Sequence, residues 1–112
     1  MAEIIEFESL AEFPDYVHPA DEFGVDIDIS TWLDTDTISS VVYTAVDDDG
    51  DDATSTVLIT GQCSETSTIM TVYIKGGTHD NWYIVKMVVS TTAGDEKTFY
   101  LKFYCYDYNY SL

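Results

Sequence analysis

Two runs near the C-terminus decide the fold: "WYIVKMVVSTT" at 82–92 and "EKTFYLKFYCYDY" at 96–108, joined across "AGDE" at 93–96. In the first, Tyr83, Val85, Met87 and Val89 share one parity, and in the second Phe99, Leu101, Phe103 and Cys105 do the same. Side chains alternate across a strand, so each set occupies one face, and these faces are read as core. Gly94 occupies a hairpin position between them. The opposite parity of the last run carries Tyr100, Lys102, Tyr104, Tyr106, Tyr108 and Tyr110. Such a tyrosine strip serves either as cross-strand filler or as a surface on which another protein is buried.

The same period of two extends upstream. In "VDIDIS" (25–30) Val25, Ile27 and Ile29 alternate with polar residues, as in a strand with one buried face. "TWLDTD" (31–36) reads as a turn, with Trp32 and Leu33 plugging the end of the core. "TISSVVYTAV" (37–46) is rich in β-branched residues, "TSTVLIT" (54–60) resumes the strand pattern, and "STIMTVYIK" (67–75) adds another strand. The last of these is ended by "GGTHDN", where Gly76 and Gly77 are expected to supply positive φ. No stretch carries a helical period. About seven short strands in roughly ninety residues predict an all-β, immunoglobulin-like antiparallel sandwich over residues 23–112. Residues 1–22 contain both prolines and no sustained period, and read as an acidic N-terminal arm whose Phe7, Phe13 and Tyr16 can dock on the domain or on a partner.

Charge narrows the function classes. Twenty-one acidic residues face four basic ones, all lysines (Lys75, Lys86, Lys97, Lys102), for a formal charge of −17. With no arginine and few lysines to displace counterions, a direct nucleic-acid ligand is excluded, and an anionic membrane repels the chain. An apolar fraction of 46% is far above that of a disordered acidic chain, so it folds. The start "MAEIIEFESL" has neither the cationic region nor the apolar stretch of a signal peptide, which points to synthesis in a cytoplasm and to free thiols at Cys63 and Cys105.

The loop "VDDDGDDA" (46–53) sets five aspartates around Gly50. With Gly50 at the sixth position of an EF-hand loop, Asp47 and Asp49 fit, but Ala45 and Thr56 stand where the first and the twelfth ligands belong. A looser calcium set would be Asp47, Asp49, Asp51 and Asp52; the competing reading is a solvated loop between strands. His18 and His79 have no metal-ligand spacing to each other or to a cysteine and read as surface residues, and Trp82 as a lid on the core. No nucleophile elbow, carboxylate frame or phosphate-binding glycine loop occurs, so no catalytic residue, metal or cofactor is assigned.

"DIDISTWLDTDTISSVVYTA" (26–45) together with "TVYIKGGTHDNWYIVKMVVSTTAGDEKTFYLKF" (71–103) resembles a family of small immunoglobulin-like proteins of tailed bacteriophages and prophages, the fibre-to-tail adaptors. The segments that carry the resemblance are Asp28 to Ile29, Ser30 to Leu33, Asp36 to Ser40, Ile74 to Thr78, and Thr91 to Glu96. Two departures stand out: the arginine of the family's hairpin is missing, and the acidic arm and the tail "YCYDYNYSL" are extra. The resemblance implies a non-enzymatic virion component, present in multiple copies of a symmetric assembly. Its partners would be other virion proteins at the tail, the fibre or the head-tail junction. The contacts would fall on Phe7, Phe13 and Tyr16 of the arm and on Tyr100, Tyr104, Tyr106, Tyr108 and Tyr110 of the strip. Capsid decoration, a head-fibre role, and an acidic inhibitor that mimics DNA are the alternatives.

Overall fold

A computed structural model describes residues 3–6, 10–12 and 16–107, with side chains from Tyr16 onward. The expected contact residues Phe7, Phe13, Tyr108 and Tyr110 lie outside the described residues. The strands are β1 (Glu3–Glu6), β2 (Leu10–Glu12), β3 (Glu22–Asp28), β4 (Ile38–Asp47), β5 (Ser64–Glu65), β6 (Ile69–Lys75), β7 (Asn81–Thr91) and β8 (Glu96–Cys105). They form two sheets, in the orders β1-β3-β6-β5 and β2-β8-β7-β4. Each sheet has an antiparallel core of three strands, with one N-terminal strand added in parallel at an edge. The chain is therefore an all-β sandwich, and its strand order matches the ABED and GFC sheets of the immunoglobulin plan. Two features depart from that plan. β1 runs parallel to β3, and β2 borders β8, so the N-terminal stretch contributes to both sheets.

The core follows the alternation. Val25, Ile27, Met70, Val72 and Ile74 from one sheet meet Val85, Met87, Val89, Phe99, Leu101 and Phe103 from the other, all buried. Tyr83 and Phe103 stack with ring centroids 5.6 Å apart. Val17, within the stretch read as an arm, is also fully buried. Its N–H donates to the Tyr104 carbonyl at 2.9 Å and its carbonyl accepts from the Tyr106 N–H at 3.0 Å. Leu33 is buried and Trp32 packs edge-on to Phe99 at 5.7 Å, closing one end of the core as expected.

Three local expectations are corrected. Residues 31–36 begin not as a plain turn but inside a short helix, α1 (Ser30–Leu33), which the Asp28 carboxylate starts by accepting the Ser30 N–H. Residues 54–60 are not a strand: they form a second short helix, α2 (Thr54–Val57), and enter a 3-10 turn at Thr60–Gln62. The Asp52 carboxylate accepts both the N–H and the hydroxyl of Thr54, and Thr54 Oγ1 in turn accepts the Ala45 N–H. These side-chain bonds offer the backbone an alternative to a ladder. They also allow adjacent Val57 and Leu58 both to be buried, which a period of two forbids. Finally, among the glycines positive φ falls at Gly50 and Gly94, and in the turn after β6 it is Asp80 that adopts it, not Gly76 and Gly77. Those two are small for a different reason: a Cβ on Gly76 would stand 2.2 Å from the His18 carbonyl oxygen, and one on Gly77 would stand 2.6 Å from the Tyr83 ring.

Candidate partner-binding surface

Register builds the outer face of the second sheet. Opposite the core parity, β7 presents Trp82, Ile84, Lys86 and Val88, paired in turn with Tyr104, Lys102, Tyr100 and Thr98 of β8. Tyr16 reaches the same face because Val17 bridges in parallel to Cys105. The rings of Tyr16 and Tyr104 lie 5.5 Å apart at a T-shaped angle, those of Tyr16 and Tyr106 5.6 Å apart, and those of Tyr104 and Tyr106 6.1 Å apart and stacked. Three of the expected contact residues are thus brought together. Tyr100 stands apart from them, opposite Lys86 and 39% exposed.

Several members of this cluster escaped the sequence reading. Trp82 is not a core lid: its ring lies on the outer face, 4.8 Å from that of Tyr104, with Lys102 Nζ 4.4 Å from its centroid. Parity contained the signal, since Tyr83 is a core residue and its neighbour must face out. His79 packs 4.8 Å from Tyr106 and accepts the Asp107 N–H on Nδ1 at 3.0 Å, while His18 Nε2 stands 3.4 Å from Asp107 Oδ1. The Tyr104 hydroxyl donates to the Asp80 carboxylate. Nothing in the spacing of these residues foretells the meeting, because it joins the N-terminal segment, the turn before β7 and the end of β8.

The acidic loop lies at the same end, with Asp47 opposite Tyr83 in register. Carboxylate oxygens of Asp47, Asp48 and Asp49 come within 4.8 Å of one another; Asp51 and Asp52 fall outside that group. Asp47 Oδ1 accepts the N–H groups of Asp49 and Asp51, each at 3.0 Å, which closes the turn. The Thr54 hydroxyl and then its N–H hold the Asp52 carboxyl below its ordinary range. Cys63 and Cys105 are free, and burial pushes both thiols up, away from the reactive thiolate.

A family model described as "Podophage GP4 fiber-tail adaptor protein gp77" matches residues 18–103. The chain belongs to this adaptor family. No curated protein matches it. The family is a structural one of phage tails, as the resemblance implied. The matched span takes in His79, Asp80, Trp82 and Lys102 but leaves out Tyr16, Tyr104 and Tyr106. The tyrosines of the outer cluster thus lie at the two margins of the family domain.

Proposed function

We propose that this chain is a non-enzymatic adaptor that holds tail and fibre-proximal proteins of a podophage virion together, in multiple copies, through its sheet edges and its N-terminal segment. The match to the fibre-tail adaptor family over residues 18–103 carries this reading. The sandwich suits the task. β4 is an edge strand covered at both ends: the Ile38 N–H donates to the Ser67 carbonyl, the Ala45 carbonyl accepts the Ala53 N–H, and the Asp47 N–H donates to the Asp51 carbonyl. Among the described residues, Ser40–Thr44 has no such cover, and Val42 is 60% exposed there. An open edge pairs with a neighbouring strand through main-chain bonds alone.

We place the separable part of the N-terminal segment at residues 1–15, because Val17 belongs to the core and Glu22 to β3. Loss of residues 1–15 should leave a folded domain that no longer joins particles. The test of the whole reading is localisation, by labelling the protein in purified virions and imaging by electron microscopy. Label at the tail or fibre base is expected. Label spread over the head would replace the adaptor role with decoration, and unlabelled particles would favour an acidic inhibitor.

A further inference from the structure

We propose that the aromatic end of the second sheet's outer face, formed by Tyr16, Trp82, Tyr104 and Tyr106, docks arginine side chains from a basic segment of a neighbouring virion protein. The proposal rests on the adaptor reading and names the chemistry of one partner.

The first support is geometric. Rings from three separate parts of the chain meet with centroids 4.8 to 6.1 Å apart on an outward face, and Tyr16 remains 54% exposed. Nothing in the core needs these rings, since the inward parity of β7 and β8 is filled by Tyr83, Val85, Leu101 and Phe103. The second support is that one of the rings already holds a cation: Lys102 Nζ sits 4.4 Å from the Trp82 centroid. An aromatic face attracts a cation through its quadrupole. The Tyr104 phenol donates to the Asp80 carboxylate, which enriches that ring in electron density and strengthens the same attraction.

Charge selects the occupant. Asp80 accepts the Tyr104 hydroxyl, Asp107 directly follows Tyr106, and the loop from Asp47 to Asp52 lies at the same end of a chain of formal charge −17. A nucleic acid or an anionic lipid surface is repelled here, while a basic segment is steered in. Arginine fits better than lysine, because its planar guanidinium is weakly hydrated, stacks on rings and forks onto carboxylates. A second copy cannot supply the group, as this chain has no arginine.

The experiment uses the full chain, a short arginine-containing peptide and its lysine-for-arginine twin, titrated at physiological salt while the Trp82 indole and tyrosine ring resonances are followed by NMR. The arginine peptide should bind several-fold more tightly than its twin and shift Trp82 and Tyr104. Trp82→Ala or Tyr104→Leu should weaken it about fivefold and erase the preference for arginine. Lys102→Ala removes the competing cation and should tighten binding. Neutralising Asp48 and Asp49 to Asn should weaken both peptides alike and leave the preference in place. Equal binding of the two peptides, shifts confined to residues 47–52, or weaker binding by Lys102→Ala would overturn the proposal. Failure here leaves label at the tail unchanged, whereas failure of the adaptor reading shows as label elsewhere.

Discussion

The two faces of β8 are made from alternate residues of one strand, yet they obey different rules. Phe99, Leu101, Phe103 and Cys105 are at most 1% exposed, and each is enclosed by residues of the opposite sheet or of β7. On the other face, Lys102, Tyr104 and the following Tyr106 meet their neighbours sideways, ring against ring or ring against cation, and Tyr100 lies opposite Lys86. Burial on the inner face removes apolar area from water on all sides, and any truncation leaves a cavity. On the outer face water replaces whatever is removed. A strand can thus hold the fold with one half of its side chains and leave the other half to a partner.

The largest effect should come from cutting into the inner face. Phe103→Ala deletes a fully buried ring that stacks on Tyr83, and should cost about 3–5 kcal/mol in chemical denaturation. A loss below about 1 kcal/mol would mean that the two sheets are not packed through this residue. Overfilling should cost less. Gly77→Ala places a methyl 2.6 Å from the Tyr83 ring, and Tyr83 is pinned because its hydroxyl accepts the Thr78 N–H at 2.9 Å. The expected penalty is about 1–3 kcal/mol, with the Tyr83 ring resonances displaced. An unchanged stability would show that the turn at Gly76 and Gly77 yields freely.

Most of the inner face was legible in the sequence because burial on one side of a sheet forces a period of two, and β7 and β8 keep that period for most of their length. The strands β3 and β6 were legible for the same reason, and β4 through its β-branched composition. Residues 54–60 were not. Their β-branched composition favours a strand, while the decision was made by Asp52 and Thr54, whose side chains bond the local backbone and Ala45. The N-terminal strands were hidden for another reason, since Glu3–Glu6 and Leu10–Glu12 are too short to show a period. Of the outer cluster, the tyrosine parity was visible, but the arrival of Tyr16, His79 and Trp82 depends on long-range pairing that no local pattern records.

Acid offers a way to sharpen the contrast without substitutions. Among the described residues the buried inner face carries no carboxylate, whereas the rim does. Asp36 bridges the start of β4 to the β7–β8 hairpin: the Thr91 hydroxyl, the Thr37 N–H at 2.8 Å and the Ala93 N–H at 3.2 Å hold its carboxyl below the ordinary range. Asp28, held by the Ser30 N–H and hydroxyl, shifts the same way. A depressed carboxyl contributes stability that is present above its unfolded value, about 3.9, and is lost as pH falls through the folded value. The melting temperature should therefore hold down to that region and then drop, and Asp36→Ala should flatten the drop. An equally steep acid loss in Asp36→Ala would assign the effect to other carboxylates.

The smallest effect is expected on the outer face itself. Tyr100 is 39% exposed and opposes Lys86 across the ladder, on the parity away from the core. Tyr100→Ser should change stability by no more than about 0.5 kcal/mol, since water fills the space the ring leaves. Beside Phe103→Ala in the same strand, it measures the two faces against each other with the backbone held constant. If Tyr100→Ser costs as much as a core truncation, the outer tyrosines are structural filler and the strip loses its claim as a contact surface. If the variant is stable in isolation but poorly incorporated into particles, the ring was kept for a neighbour, and the division of labour along β8 extends beyond the cluster around Tyr104.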